Sequence, residues 1–310
     1  MSKSTFMHNL SMEVELGPLH LKNPILTASG TCGYGEELAD WMDVSALGAL
    51  VTKTVTRKPR AGNPSPRTCE TASGMLNAIG LQNVGIERFI EEKLPFLRAL
   101  DVSLIVNVAG ETVQDFADLA AALADKSGIA ALELNISCPN VAHGLDFATD
   151  PRQTKEVVAA VRDATALPII VKLSPNVTDI RRIAVSAQEA GADVLSMTNT
   201  FIGMAIDIER RRPIISNLTG GLSGPAIKPL SLLAVYRCAQ TVDIPIIGIG
   251  GICTAEDALE YLLAGASAVQ VGTATFVQPD AALRVLCGME EYMQKHNFKN
   301  VREIIGGLQV

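Results

Sequence analysis

Residues 244–273 read Ile-Pro-Ile-Ile-Gly-Ile-Gly-Gly-Ile-Cys-Thr-Ala-Glu-Asp-Ala-Leu-Glu-Tyr-Leu-Leu-Ala-Gly-Ala-Ser-Ala-Val-Gln-Val-Gly-Thr. The apolar run at 244–249 is too short for a helix and ends in paired glycines, the pattern of a strand buried on both faces. A helical stretch at 255–264 follows, and then a second apolar run at 266–271 that stops at Gly272-Thr273. Strand, helix and strand in succession form a crossover, and crossovers join parallel neighbours.

Outward from this unit the same rhythm recurs. Short apolar runs at 24–28, 49–52, 102–106, 130–134, 168–171 and 192–197, with 244–249 and 266–271, make eight. Amphipathic helices fit 86–100, 113–126, 152–165, 179–190 and 228–240, as well as 255–264. Eight such repeats predict the α/β class and a (β/α)8 TIM barrel occupying 1–310 as a single domain. Residues 13–22 turn at Gly17-Pro18 and predict an N-terminal hairpin closing the bottom of the barrel. The intervals 54–84 and 199–227 are rich in Gly, Pro and Ser and too long for simple connections, so they predict insertions at the C-terminal rim.

Composition removes several function classes. A net charge of −7 argues against nucleic acid as a partner, and the Arg-Arg-Arg-Pro run at 210–213 reads as a solvated loop. A hydrophobic content of 48% against 19% charged residues is that of a globular protein with some apolar surface, consistent with a subunit interface. No apolar run approaches the roughly 20 residues of a membrane span, and the start has no apolar signal segment, so the expected compartment is the cytoplasm. The six cysteines, at 32, 69, 138, 238, 253 and 287, contain no Cys-x-x-Cys pair, so no metal or iron–sulfur site is expected on this chain.

The residues just past the apolar runs carry the chemistry. They are Ser29, Lys53, Asn107, Asn135, Lys172, Thr198 with Asn199, Gly250 with Gly251, and Gly272 with Thr273. A parallel barrel gathers all of them at one rim. Lysines and asparagines lose hydration there unless a partner is present, so their convergence points to a polar ligand. The glycine turns after the last two strands let backbone N–H groups approach an anion, as phosphate sites on such barrels do. A dinucleotide fingerprint is a poorer reading, because Cys253 stands where its third glycine would fall. Tight turns without a ligand remain the plain alternative.

The sharpest local signal is Leu132-Glu-Leu-Asn-Ile-Ser-Cys-Pro-Asn140. Alternation puts Asn135 and Ser137 on one face, and Cys138 emerges in the following loop, held extended by Pro139. A rim cysteine can be nucleophile, general base or packed thiol; the polar neighbours Asn135, Ser137 and Asn140 favour chemistry. His8, His20 and His296 fall near the termini or the hairpin, and His143 reads as a lid residue.

Taken in order, Asn23-Pro-Ile-Leu-Thr-Ala-Ser-Gly-Thr31, Thr52-Lys-Thr54, Asn77-Ala-Ile-Gly-Leu-Gln-Asn83, Asn135-Ile-Ser-Cys-Pro-Asn140 and Val171-Lys-Leu-Ser-Pro175 resemble the dihydroorotate dehydrogenases. Thr198-Asn-Thr200, Gly220-Gly-Leu-Ser-Gly-Pro225, Gly248-Ile-Gly-Gly251 and Val271-Gly-Thr273 extend the resemblance over nearly the whole chain. It implies an FMN-dependent oxidation of dihydroorotate to orotate in pyrimidine biosynthesis, with Cys138 taking the C5 proton and FMN the C6 hydride. Cysteine at 138 looks like the soluble class, since the membrane-associated class has serine there.

The segment Ile206-Asp-Ile-Glu-Arg-Arg-Arg-Pro213 looks most like the catalytic subunit of the NAD-linked class, class 1B. That class implies a homodimer core joined in a heterotetramer to an electron-transfer subunit holding FAD and a [2Fe-2S] cluster. Residue by residue, the resemblance puts substrate on Lys53, Asn77, Ala78, Ile79, Gly80, Leu81, Asn135, Asn199 and Thr200. It puts FMN on Ser29, Lys53, Thr54, Asn107, Asn135, Lys172, Thr198, Gly224, Gly250, Gly251, Gly272 and Thr273. Alternatives are a fumarate-using homodimer, a dihydropyrimidine dehydrogenase-type flavin barrel, a phosphosugar lyase or isomerase, and a non-catalytic flavin-binding subunit.

Overall fold

The computed structural model describes residues 10–137 and 147–310. Its centre is eight strands: β1 (Ile25–Thr27), β2 (Ala49–Val51), β3 (Ser103–Val108), β4 (Ala131–Asn135), β5 (Ile169–Lys172), β6 (Val194–Met197), β7 (Ile246–Ile249) and β8 (Ala268–Val271). Each pairs in parallel with the next in chain order, and β8 pairs with β1 to close the barrel. The expected (β/α)8 architecture is therefore the observed one. Nearly every strand residue is buried, because one face meets the helices and the other meets the barrel axis. Double burial is why these strands read as unbroken apolar runs.

The helices form for local reasons. Val113–Ala124 buries Phe116, Leu119, Ala120 and Leu123, one stripe at helical spacing, and starts in a capping box between Thr112 and Asp115. Ala255–Leu263 starts the same way, with Thr254 and Asp257. The helix expected over 86–100 is built as Ile86–Arg88, Phe89–Lys93 and Leu94–Arg98, the middle piece being a π turn. Pro95 has no N–H to give the carbonyl of Glu91, and the wide turn lies just ahead of it. The helix Ala281–Lys295 was not among those expected; it buries Val285, Leu286, Met289 and Met293.

Both ends of the barrel are covered. Val14–Leu16 and Leu19–Leu21 pair as an antiparallel hairpin whose inward residues Val14, Leu16, Leu19 and Leu21 are buried. Gly17, at φ 57°, has room for a Cβ only 3.1 Å from the carbonyl oxygen of Asp193, the residue preceding β6. The hairpin thus closes the bottom.

At the opposite rim the two long insertions fold together. Thr68–Thr71, Gly74–Asn77, Gly220–Ser223 and Phe201–Gly203 form one four-stranded antiparallel sheet in that spatial order. Gly221 is required there, since a methyl group would overlap the Thr200 hydroxyl.

No helix among the described residues is long and apolar enough to cross a membrane. No group of three or more metal-ligating side chains occurs among them either.

Candidate active site

Between the C-terminal strand ends and the rim sheet lies a cavity of about 680 Å³. That is within the size range of small-molecule and cofactor sites. At one part of its wall are Gly250 and Gly251 after β7, Gly272 and Thr273 after β8, and Gly224 from the rim insertion. Gly250 and Gly251 have φ of 131° and 70°, which a side chain would strain. Tyr261 is fully buried, and its hydroxyl donates to the Gly250 carbonyl at 2.7 Å, fixing the turn. The N–H groups of Gly250, Gly251, Ile252, Gly272 and Thr273 find no acceptor among the described residues. Donors without acceptors at glycine turns are the composition of an anion site, so this end of the cavity fits a phosphate group.

Lys53 reaches the cavity two residues past β2, its N–H held by the Gly33 carbonyl at 2.8 Å. Burial, and secondarily the positive charge of Arg67, hold its ammonium below the ordinary lysine value of 10.5. Beside it, Ser29 and Thr54 share a hydroxyl contact of 3.4 Å. Asn77, Ala78, Ile79, Gly80 and Leu81 line the cavity as the end of a rim strand and the turn after it. Asn63 pins this turn: its Nδ2 donates to the Ala78 carbonyl at 2.8 Å and its N–H to the Ile79 carbonyl at 3.0 Å. Leu81 has φ 55°, uncommon for a side-chain-bearing residue. Asn83 bridges the turn to the strand extension, donating to both Thr56 Oγ1 and the Leu81 carbonyl at 2.8 Å.

Asn135 ends β4, and Asn199 follows β6; Asn199 Nδ2 donates to Asn135 Oδ1 at 3.1 Å. Asn199 Oδ1 accepts the Thr200 N–H at 2.8 Å, so both amides are oriented by protein. Thr198 follows a cis peptide bond, and its hydroxyl shares a 2.7 Å contact with the Ser231 hydroxyl. Lys172, the last residue of β5, also lines the cavity.

Most residues expected from sequence thus face one cavity. Asn107 is placed differently. It lies within β3, is fully buried and does not line the cavity; its Nδ2 donates to Glu133 Oε1 at 2.6 Å.

Cys138, Pro139, Asn140 and His143 lie outside the described residues. Ser137, immediately before them, lines the cavity and donates to the Lys172 carbonyl at 3.5 Å. Of the other cysteines, Cys253 lines the cavity, its thiol raised by burial and then by the Asp257 charge. Cys32 is buried behind β2, and desolvation pushes its thiol up to about 11. Neither environment favours a thiolate.

Ser174 and Asn176 line the cavity without having been singled out from sequence. Asn176 donates to the Thr200 carbonyl at 3.0 Å and accepts the Ile202 N–H at 2.9 Å, tying the strand β5 extension to the rim. Their signal was present in Val171-Lys-Leu-Ser-Pro175, where Ser174 stands just past a strand end.

The family described as dihydroorotate dehydrogenase matches residues 11–293. The protein named dihydroorotate dehydrogenase B (NAD(+)), catalytic subunit, of Geotalea daltonii is 54% identical over 300 residues, covering 96% of this chain and 98% of that relative. The protein of the same name from Geobacter sulfurreducens is 54% identical, covering 98% of this chain and 100% of the relative. That of Trichlorobacter lovleyi is 55% identical, covering 96% and 99%.

Proposed function

The chain belongs to the dihydroorotate dehydrogenase family, and from that premise we propose that it oxidises dihydroorotate to orotate as the FMN-bearing catalytic subunit of an NAD-linked enzyme. The observation that carries this reading is a single cavity with two chemically distinct sets of residues. One is the group of backbone donors at Gly250–Gly251 and Gly272–Thr273, which suits a phosphate. The other is Lys53 with Asn77, Asn135 and Asn199, which suits a flat ring bearing amide edges and a carboxylate.

In this reading the FMN phosphate rests on the glycine turns with Gly224. Ser29, Lys53, Thr54, Asn107, Asn135, Lys172 and Thr198 support the rest of the cofactor, Asn107 from beneath the wall. FMN supplies, when bound, the acceptor for the hydride. Lys53 holds the substrate carboxylate. Asn77, Asn135, Asn199, Thr200 and the backbone of Ala78, Ile79, Gly80 and Leu81 hold the ring. Asn135 is suited to donate, because its Oδ1 is already committed to Asn199. Orienting the ring in this way aligns its C5–H and C6–H with separate acceptors.

Cys138, as thiolate, takes the proton from C5 while the C6 hydrogen departs as hydride, leaving the C5=C6 double bond of orotate. The Lys172 ammonium offsets the negative charge that accumulates on the acceptor side.

In the NAD-linked assignment a partner subunit would hold FAD and a [2Fe-2S] cluster and supply the route to NAD, on a homodimer of this chain in the cytoplasm. The test is an anaerobic titration. Dihydroorotate should bleach the yellow protein, and NAD should restore the colour only with the partner subunit present. A colourless preparation that cannot be reconstituted with FMN refutes the reading. Recovery of colour with fumarate and this chain alone refutes the NAD-linked part.

A further inference from the structure

Beneath the cavity, inside the barrel, one carboxylate collects hydrogen-bond donors from three other strands and a cation from a fourth. Glu133 of β4 is fully buried. Its Oε1 accepts from Asn107 Nδ2 of β3 at 2.6 Å and faces Lys172 Nζ of β5 at 3.7 Å. Its Oε2 accepts from Ser196 Oγ of β6 at 2.9 Å and from Gln270 Nε2 of β8 at 2.6 Å. Three hydrogen bonds therefore hold the carboxylate, one on Oε1 and two on Oε2, and the Lys172 ammonium stands beside Oε1 as a neighbouring charge. Asn107 Oδ1 and Gln270 Oε1 are left buried without partners. Two amides turned with their N–H groups inward, at the cost of two stranded carbonyls, is the arrangement a negative charge imposes. A buried carboxylate needs a counter-charge, and Lys172 is the cation in contact with it.

We propose that Glu133 is a positioning residue for the redox reaction: it anchors the Lys172 ammonium at the cavity wall and sets the charge there to a neutral pair before electrons arrive. The proposal rests on the flavin reading above. Glu133 lies behind the cavity wall and acts through Lys172, which lines it. Removing its charge leaves an uncompensated cation beside the cofactor, which favours the reduced, more negative flavin. Removing the lysine charge instead leaves an uncompensated anion and disfavours it.

The experiment measures the midpoint potential of bound FMN in the wild type, E133Q, K172M and the E133Q/K172M double variant. E133Q should raise the potential and K172M lower it, each by at least a tenfold shift in the reduction equilibrium, about 30 mV for a two-electron couple. The double variant buries no unpaired charge, so it should fold even where a single variant does not, and its potential should return towards that of the wild type. An E133Q potential equal to the wild type, single variants that shift in the same direction, or a double variant no closer to the wild type than the singles overturns the proposal. If these occur while dihydroorotate still bleaches the wild type, the functional reading stands and only the role of Glu133 falls. A wild type that binds no FMN overturns both.

Discussion

Replacing Lys53 by methionine isolates one ammonium group from an otherwise unchanged wall. The chain length is nearly kept, so the packing of the stem against its surroundings survives. What disappears is a cation held in an environment that disfavours it, through burial and the neighbouring charge of Arg67. Among the described residues no carboxylate figures in the electrostatics of Lys53, which leaves its charge available for a ligand carboxylate. A hydrogen bond to a charged group contributes about 1.5–3 kcal/mol, so orotate should bind roughly ten- to a hundredfold more weakly to Lys53→Met. Thermal stability should hold or rise, because a disfavoured buried charge is gone. The assay is titration of the oxidised holoenzyme with orotate, following the flavin spectrum, with FMN affinity measured in parallel on the apoprotein. FMN affinity should change several-fold less than orotate affinity. Orotate binding within threefold of the wild type, or a loss confined to FMN, would refute the assignment of Lys53 to the carboxylate. Uracil, which lacks that carboxylate, should bind both proteins equally.

The same lysine gives a pH dependence whose sign is fixed. Its folded value lies below 10.5, so between the two values the unfolded chain binds more protons, and its contribution to stability rises with pH. Orotate affinity should fall across that window in the wild type and stay level in Lys53→Met, as isothermal titration at several pH values can check. Cys138→Ser should keep its flavin and lose most turnover, at least a hundredfold in kcat if the thiolate is the base; stopped-flow reduction by dihydroorotate measures this, and near-normal rates remove the cysteine from the role. Gly221→Ala forces a methyl group onto the Thr200 hydroxyl. It should raise the KM for dihydroorotate about tenfold while lowering the melting temperature by no more than about 4 °C, since the distortion falls on the rim sheet; steady-state kinetics and calorimetry on the same preparation measure the two.

The barrel was legible because strands buried on both faces leave an unbroken apolar signature, and because Lys53, Asn135, Lys172 and the glycine turns interrupt that signature at the same phase. The pairing of the two insertions was not. Asn77 meets Gly221 across 144 positions of chain, through short, glycine-bearing strands whose alternation is too brief to show. Glu133 was hidden for a different reason. A single acid inside an apolar run looks like an outward-facing residue until the closed barrel places Asn107, Lys172, Ser196 and Gln270 around it. The same geometry hid the placement of Asn107, which sits one step deeper than the strand end and turns its amide to that acid beneath the cavity wall. Nothing in Cys138 itself separates a base from a packed thiol; only the company of Asn135, Ser137 and Asn140 does.

The cavity has walls of two mechanical kinds. The glycine turns and Lys172 grow directly out of the barrel, whose ladder of strand pairs must be broken to move them. Asn77 and its turn belong to a small sheet of short strands laid across the mouth. Amide hydrogen exchange should accordingly be faster at Gly74–Asn77 and Gly220–Ser223 than in β7 and β8. Loosening of the upper sheet would then widen the mouth of the cavity while leaving the glycine turns fixed on the staves below.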